Sequence, residues 1–305
     1  MDFRALLNTF ADNLLPILLV GSTGFLLGKA LHIDSRSLGR VVFYVFSPIL
    51  VFNLLLNTEL NSGEIAGTVV FVFALYAIVG ALAFLSGKLM RLERPILMAV
   101  VLTAALGNTG NYGLPLVSFA FGDQALAYAT LFFVTSTVLF NTAGIMIASL
   151  GHMDFKTAAA GVFKVPGVYA VLLAAAMNRF DVVLPVPLAR TIELAAGGSI
   201  PLMIVLLGLE LARVEWSHSF KPIGLSVALR LIAAPAVGFL LAGLLGFHGP
   251  ARQATVTESG VPSAVTTLVL STEYGLDTSL VTAMVFVGTI LSPLTLTPLL
   301  VFLGK

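Results

Sequence analysis

The stretch AALGNTGNYGLPLVSFAFG, residues 104–122, decides the fold. It lies inside an apolar run long enough to cross a membrane. Yet it holds Gly107, Gly110, Gly113, Gly122, Asn108, Asn111 and Pro115. Glycine and proline are the poorest helix formers. Non-helical backbone at bilayer depth is tolerated only where protein encloses it or a water-filled cavity adjoins it. The stretch therefore reads as an interrupted membrane helix built around a ligand site.

Composition fixes the medium around it. Of 305 residues, 58% are hydrophobic and 10% are charged, and the mean hydropathy is +1.03. Soluble domains carry about 25% charged residues, so the chain is integral to a lipid bilayer. A net charge of +1 offers no basic face for nucleic acid. Without cysteine, disulfides and thiolate metal sites are excluded. His32, His152, His218 and His248 fall in loop-like segments with no second ligand at metal spacing, so no metal and no cofactor are expected. HExxH, GxSxG and paired intramembrane aspartates do not occur, which argues against an enzyme.

Crossing the hydrocarbon core takes about 20 apolar residues. That ruler predicts ten helical spans, at 13–31, 38–57, 65–87, 95–121, 125–149, 165–179, 188–211, 223–246, 251–272 and 279–303. The N-terminus lacks the basic region of a signal peptide and reads as a short amphipathic lead-in to the first span. With both termini outside, ten basic residues fall in inside connections and five outside, with Arg230 left within a span. The positive-inside rule thus favours N-out, C-out.

The longest connection divides the chain into two halves of five spans, 1–150 and 165–305, joined by 151–164. An odd number of spans per half makes related halves inverted in the membrane. Matching signals support this: FSPILVFNLLLNTEL (46–60) pairs with GSIPLMIVLLGLEL (198–211), and NYGLP (111–115) with ESGVP (258–262). Broken spans at matching positions of inverted halves point to a transporter binding site.

Each proline removes an N–H and displaces the carbonyl four residues earlier. Pro115, Pro262, Pro48 and Pro201 thus free the carbonyls of Asn111, Glu258, Tyr44 and Gly197. Half-helix N-termini attract anions, and C-terminal ends attract cations. The substrate candidates are Asn108, Thr109, Asn111, Gly113 and Pro115, with Ser47, Pro48, Asn53, Ser199, Pro201, Pro262 and Ser263. A carboxylate at mid-bilayer costs about 2.5–3.5 kcal/mol, so Glu258 reads as functional. It suits a proton, or Na+ beside Thr257 and Ser259. Arg190 and Glu193 read as an interfacial pair, Asn141 as a packing residue or a ligand, and Glu210 and Arg230 are open between pairing and function.

At GNTGNYGLPL (107–116), FSPILVFNLLL (46–56), GSIPLMIVLLGLEL (198–211) and ESGVPSA (258–264), the sequence resembles the auxin efflux carrier family, in its short prokaryotic form. The resemblance covers essentially the whole chain. It implies an all-α protein of two inverted five-helix repeats with crossed broken helices four and nine, as in bile-acid symporters and sodium/proton antiporters. It also implies elevator movement, an organic anion held near Asn108, Asn111 and Pro115, a homodimer, and the prokaryotic inner membrane. The functional expectation is a secondary active transporter of a small carboxylate, with H+ or Na+ as the open choice of coupling ion. The rival is a passive anion channel or uniporter.

Overall fold

A computed structural model describes residues 3–31, 33–58, 60, 62–149, 162–212 and 219–304. Most of the predicted 151–164 connection, with His152, and also His32 and His218, lie outside the described residues. Among the described residues the architecture is all-α. The helices are α1 (Phe3–Leu31), α2 (Ser35–Leu56), α3 (Ser62–Leu89), α4 (Arg94–Ala105) and α5 (Thr109–Ala148). Then come α6 (Pro166–Arg179), α7 (Val186–Leu211), α8 (Phe220–Leu244), α9 (Gly249–Gly260), α10 (Thr267–Glu273) and α11 (Thr278–Leu303).

Seven of these helices, α1, α2, α3, α5, α7, α8 and α11, are long and apolar enough to cross a membrane. The chain is an integral membrane protein with several long apolar spans. The predicted continuous runs 95–121 and 251–272 are each divided. α4 stops after 12 residues, and α9 after 12 with the seven-residue α10 beyond it. The boundary predicted between the fourth and fifth spans coincides with a kink that divides α5 into two helical arms. There Gly122 takes φ 72° and ψ −168°, a conformation that only glycine adopts cheaply. The predicted lead-in is helical from Phe3 and continuous with the first span.

Proline explains much of the local geometry. Wider π turns occupy Phe10–Leu14, Val42–Phe46, Thr109–Gly113 and Leu229–Ala233. Each of these four ends two residues before a proline, Pro16, Pro48, Pro115 and Pro235, whereas a fifth, Phe140–Gly144, is followed by no such proline. The extra residue in the turn accommodates the ring, whose N–H is missing and whose bulk meets the preceding turn. Such turns accommodate Pro48 and Pro115, and the interruption of the fourth span lies just upstream of its π turn, at 106–108. Pro201 lies inside α7, exposed and without an interruption.

Packing joins helices across the two chain halves. α1 runs along α7, and α2 packs on α6 and α7. α3, α4 and α5 pack with α8, α9 and α11 around buried Phe71, Leu75, Leu102, Phe132, Val256 and Met284. The α1–α7 contact is made by small residues. A Cβ at Gly208 would overlap the Gly21 carbonyl oxygen and lie 2.7 Å from Phe25 N. Close backbone approach of this kind is how helices associate in lipid. Gly208→Val is therefore expected to lower the apparent unfolding temperature in detergent by several degrees, since overpacking costs about 1–3 kcal/mol. An unchanged melting curve would mean that the two helices can part freely.

Candidate functional site

Two interrupted helices meet at the site. α4 ends at Ala105 and Leu106 is extended, with φ −93° and ψ 108°. α9 ends at Gly260 and Val261 is extended, with φ −65° and ψ 151°. Pro262 favours that conformation in the residue before it. The two extended segments pair antiparallel at Gly107 and Ser263. Asn108 N–H donates to the Pro262 carbonyl at 2.7 Å, and Ala264 N–H donates to the Leu106 carbonyl at 2.9 Å. Ser263 Oγ donates to the Thr103 carbonyl at 2.7 Å, satisfying a group in the last turn of α4.

Arg230 completes this junction from the π turn of α8. Its Nε donates to the Val261 carbonyl at 2.6 Å, Nη1 to Ala105 at 3.0 Å and Nη2 to Glu258 at 3.0 Å. The Glu258 carbonyl is the group that Pro262 leaves without an intrahelical donor. A guanidinium thus faces the C-terminal ends of both α4 and α9, where the helix dipoles are negative. Only 1% of Arg230 is exposed, so snorkelling to the interface does not occur. Gly107 makes room for it, since a Cβ there would overlap the guanidinium.

Behind the junction lies a second group of polar atoms. Glu258 is fully buried and lies against Gly113, where a Cβ would overlap its carboxylate. Both Glu258 carboxylate oxygens, Thr257 Oγ1 and Asn108 Nδ2 are buried and find no hydrogen-bond partner in the protein. Ser259 Oγ is occupied within its own helix by the Thr255 carbonyl at 2.7 Å. Buried polar groups in proteins are ordinarily paired, so the unpaired Glu258 carboxylate marks a place where polar chemistry is left open.

In front of the junction is a cavity of about 870 Å3. Its floor carries Leu106 to Asn111 and Ala264 to Thr266, and its rim carries Arg36, Arg40 and Glu273, all three exposed. Of the predicted substrate residues, Ser47, Asn108, Thr109 and Asn111 line this cavity. Gly113, Pro115, Pro48, Ser199, Pro201, Pro262 and Ser263 do not. They shape the helices beside it, as when Ser199 Oγ donates to the Phe46 carbonyl at 3.0 Å across α7 and α2. Asn53 belongs to a different hollow, of about 1130 Å3, with Asn178 and Asp181. Asn141 lines the main cavity while its amide donates to the Thr137 carbonyl of its own helix at 2.8 Å. Arg190 and Glu193 are both exposed and, among the described residues, form no ion pair.

Two cavity residues had no assigned place from sequence. Glu210 of α7 accepts from Asn111 Nδ2 at 3.4 Å. Tyr76 of α3 donates to Ser136 Oγ at 2.8 Å and lines the same space.

A family described as membrane transport protein matches residues 9–161 and again 153–300. The chain belongs to the membrane transport protein family. An "Uncharacterized transporter" of Methanothermobacter thermautotrophicus is 28% identical over 282 residues, 92% of this chain and 93% of that protein. A Rhizobium meliloti protein named "Putative malonate transporter" is 26% identical over 292 residues, 91% of this chain and 90% of its own length. A rice protein named "Probable auxin efflux carrier component 5b" is 29% identical over 138 residues, 43% of this chain and 37% of the rice protein. The chain is a membrane transporter of the auxin efflux type, not an enzyme.

Proposed function

We propose that this transporter is a secondary active carrier of a small organic carboxylate, working by elevator-type alternating access. In this reading ten spans form two inverted five-helix repeats, 1–150 and 165–305, and the interrupted fourth and ninth spans cross. The body formed by α3, α4, α5 and α8 to α11 moves against α1, α2, α6 and α7. With both termini outside, the arginine-rimmed cavity opens toward the cytoplasm, where Arg36 and Arg40 draw anions in. The amides of Asn108 and Asn111, the Thr109 hydroxyl and the free N–H groups opening α5 hold the carboxylate, and Ser47 closes the seat from α2. Gly113, Pro115, Pro262 and Ser263 keep the crossing in shape, while Pro48, Ser199 and Pro201 set the facing surface. Glu258, Thr257 and Ser259 form the coupling centre for H+ or Na+. A homodimer in the prokaryotic inner membrane belongs to the same reading.

The observation that carries it is the antiparallel pairing of Gly107 and Ser263, which sets Gly107, Asn108, Thr109 and Asn111 at the floor of the cavity. Helix N-termini with free N–H groups bind anions. The malonate name of the Rhizobium relative, whose length the chain covers almost fully, supports a carboxylate.

The test is uptake of labelled malonate into proteoliposomes. Wild type should show saturable uptake, and Asn111→Ala at least about tenfold less, since a hydrogen bond to a charged group contributes about 1.5–3 kcal/mol. Its melting temperature should stay near the wild-type value, because the bond Asn111 makes to Glu210 is long, at 3.4 Å. Full uptake by Asn111→Ala removes that residue from the seat. Unitary currents in a planar bilayer would instead support the channel.

A further inference from the structure

Glu210 is a carboxylate standing where a carboxylate cargo would bind. It lies near the cytoplasmic end of α7, lines the cavity, and takes the Asn111 amide at 3.4 Å. This contact is long, near the outer limit of a hydrogen bond, so a better-placed acceptor can displace it. It also joins two packing groups: α7 packs with α1 and α2, whereas Asn111 begins α5 at the crossing.

We propose that Glu210 is a displaceable internal anion that couples cargo to a proton. It holds Asn111 while the cavity is empty. An incoming carboxylate takes that amide, and Glu210 Oε2, as it is released, accepts one proton that enters from the bulk solution through the cavity. One anion and one proton are thus taken up together, and the bond across the two helix groups opens in the same step. The inference rests on the carrier reading above and is separate from Glu258, which lies behind the crossing, outside the cavity.

The charge surroundings make this specific. The ionisable groups facing the cavity with Glu210 are Arg36, Arg40 and Tyr44 of α2, Tyr76 of α3 and Glu273 of α10. Lys29 of α1 is exposed and holds its amine 5.9 Å from the centre of the Phe25 ring. Two arginines balance two carboxylates at the cavity, so an added anion is uncompensated unless one carboxylate is neutralised. Tyr44→Phe and Tyr76→Phe control for the phenols.

Two readouts test the proposal. The first is malonate binding to the purified protein between pH 7 and 9, where malonate itself stays fully ionised. Wild-type Kd should rise toward tenfold per pH unit, and Glu210→Gln should flatten that dependence. The second needs no ligand. The chain has no cysteine, so spin labels at Leu172→Cys on α6 and Leu244→Cys on α8, both strongly exposed, report the distance between the two groups. At pH 9, Glu210→Gln should change the ratio of distance populations from that of wild type at least threefold, and Asn111→Ala should move it the same way. Equal pH dependence of malonate binding in wild type and Glu210→Gln, or identical distances in all three proteins, overturns the proposal. Malonate that binds neither protein counts against the carboxylate reading, and the distances then decide the role of Glu210 alone.

Discussion

Arg230→Ala is expected to lower the apparent unfolding temperature in detergent by at least about 6–12 °C, the largest loss of the substitutions considered. The guanidinium serves the carbonyls of Ala105, Val261 and Glu258, and all three would be left in a dry interior. An orphaned buried acceptor costs about 1–3 kcal/mol, so the sum is at least about 3 kcal/mol, and each kcal/mol moves a melting point by roughly 2–4 °C in a chain of this size class. The negative ends of α4 and α9 would also face each other without a cation. Arg230→Met should fall nearly as far as alanine, because it restores the stem and not the donors. Arg230→Lys should lie between, since an ammonium has donors without the planar fork. A methionine variant that melts like wild type would reduce Arg230 to a packing residue.

Gly107→Ala should cost the second largest amount, about 1–3 kcal/mol, as is usual for overpacking a filled site. The added methyl would overlap the Arg230 guanidinium and lie 3.1 Å from Val261 Cγ2. The two residues form one unit, so their effects should not add. In Arg230→Ala the space opposite Gly107 is open, and Gly107→Ala on that background should be nearly neutral. A double-mutant cycle by thermal or chemical unfolding should give a coupling of about 1–3 kcal/mol. Strict additivity would mean that Gly107 is required for backbone conformation and not for the close approach of Arg230.

The interruption of the two membrane helices is written in the sequence where the physics is local. Asn-x-Gly-x-Pro at 111–115 and Glu-Ser-Gly-Val-Pro at 258–262 combine residues that helices in lipid avoid unless backbone must open. The means of closing the junction is not local. Arg230 sits in a continuous apolar run, and its partners are backbone carbonyls 28, 31 and 125 residues away, which carry no side-chain signature. An arginine within a span is a functional signal by default, and that rule alone could have raised Arg230 above an undecided residue. Proline misleads in the other direction. Pro201 resembles Pro115 and Pro262 in its setting but is itself exposed and stays within an unbroken stretch of α7. Pro48 and Pro115 are absorbed by wider turns, an outcome that depends on how many residues the helix can add upstream. Glu210 was visible as a charge near a span end, but its contact with Asn111 arises only when α7 packs against the crossing.

The most direct measurement is a cryo-electron microscopy structure of the transporter in a lipid nanodisc with saturating malonate. The account predicts extended backbone at 106–108 and 261–264, paired as at Gly107 and Ser263, with ligand density against the Asn108 and Asn111 amides. Continuous helix through either segment, or ligand density confined to the hollow beside Asn53, would contradict it.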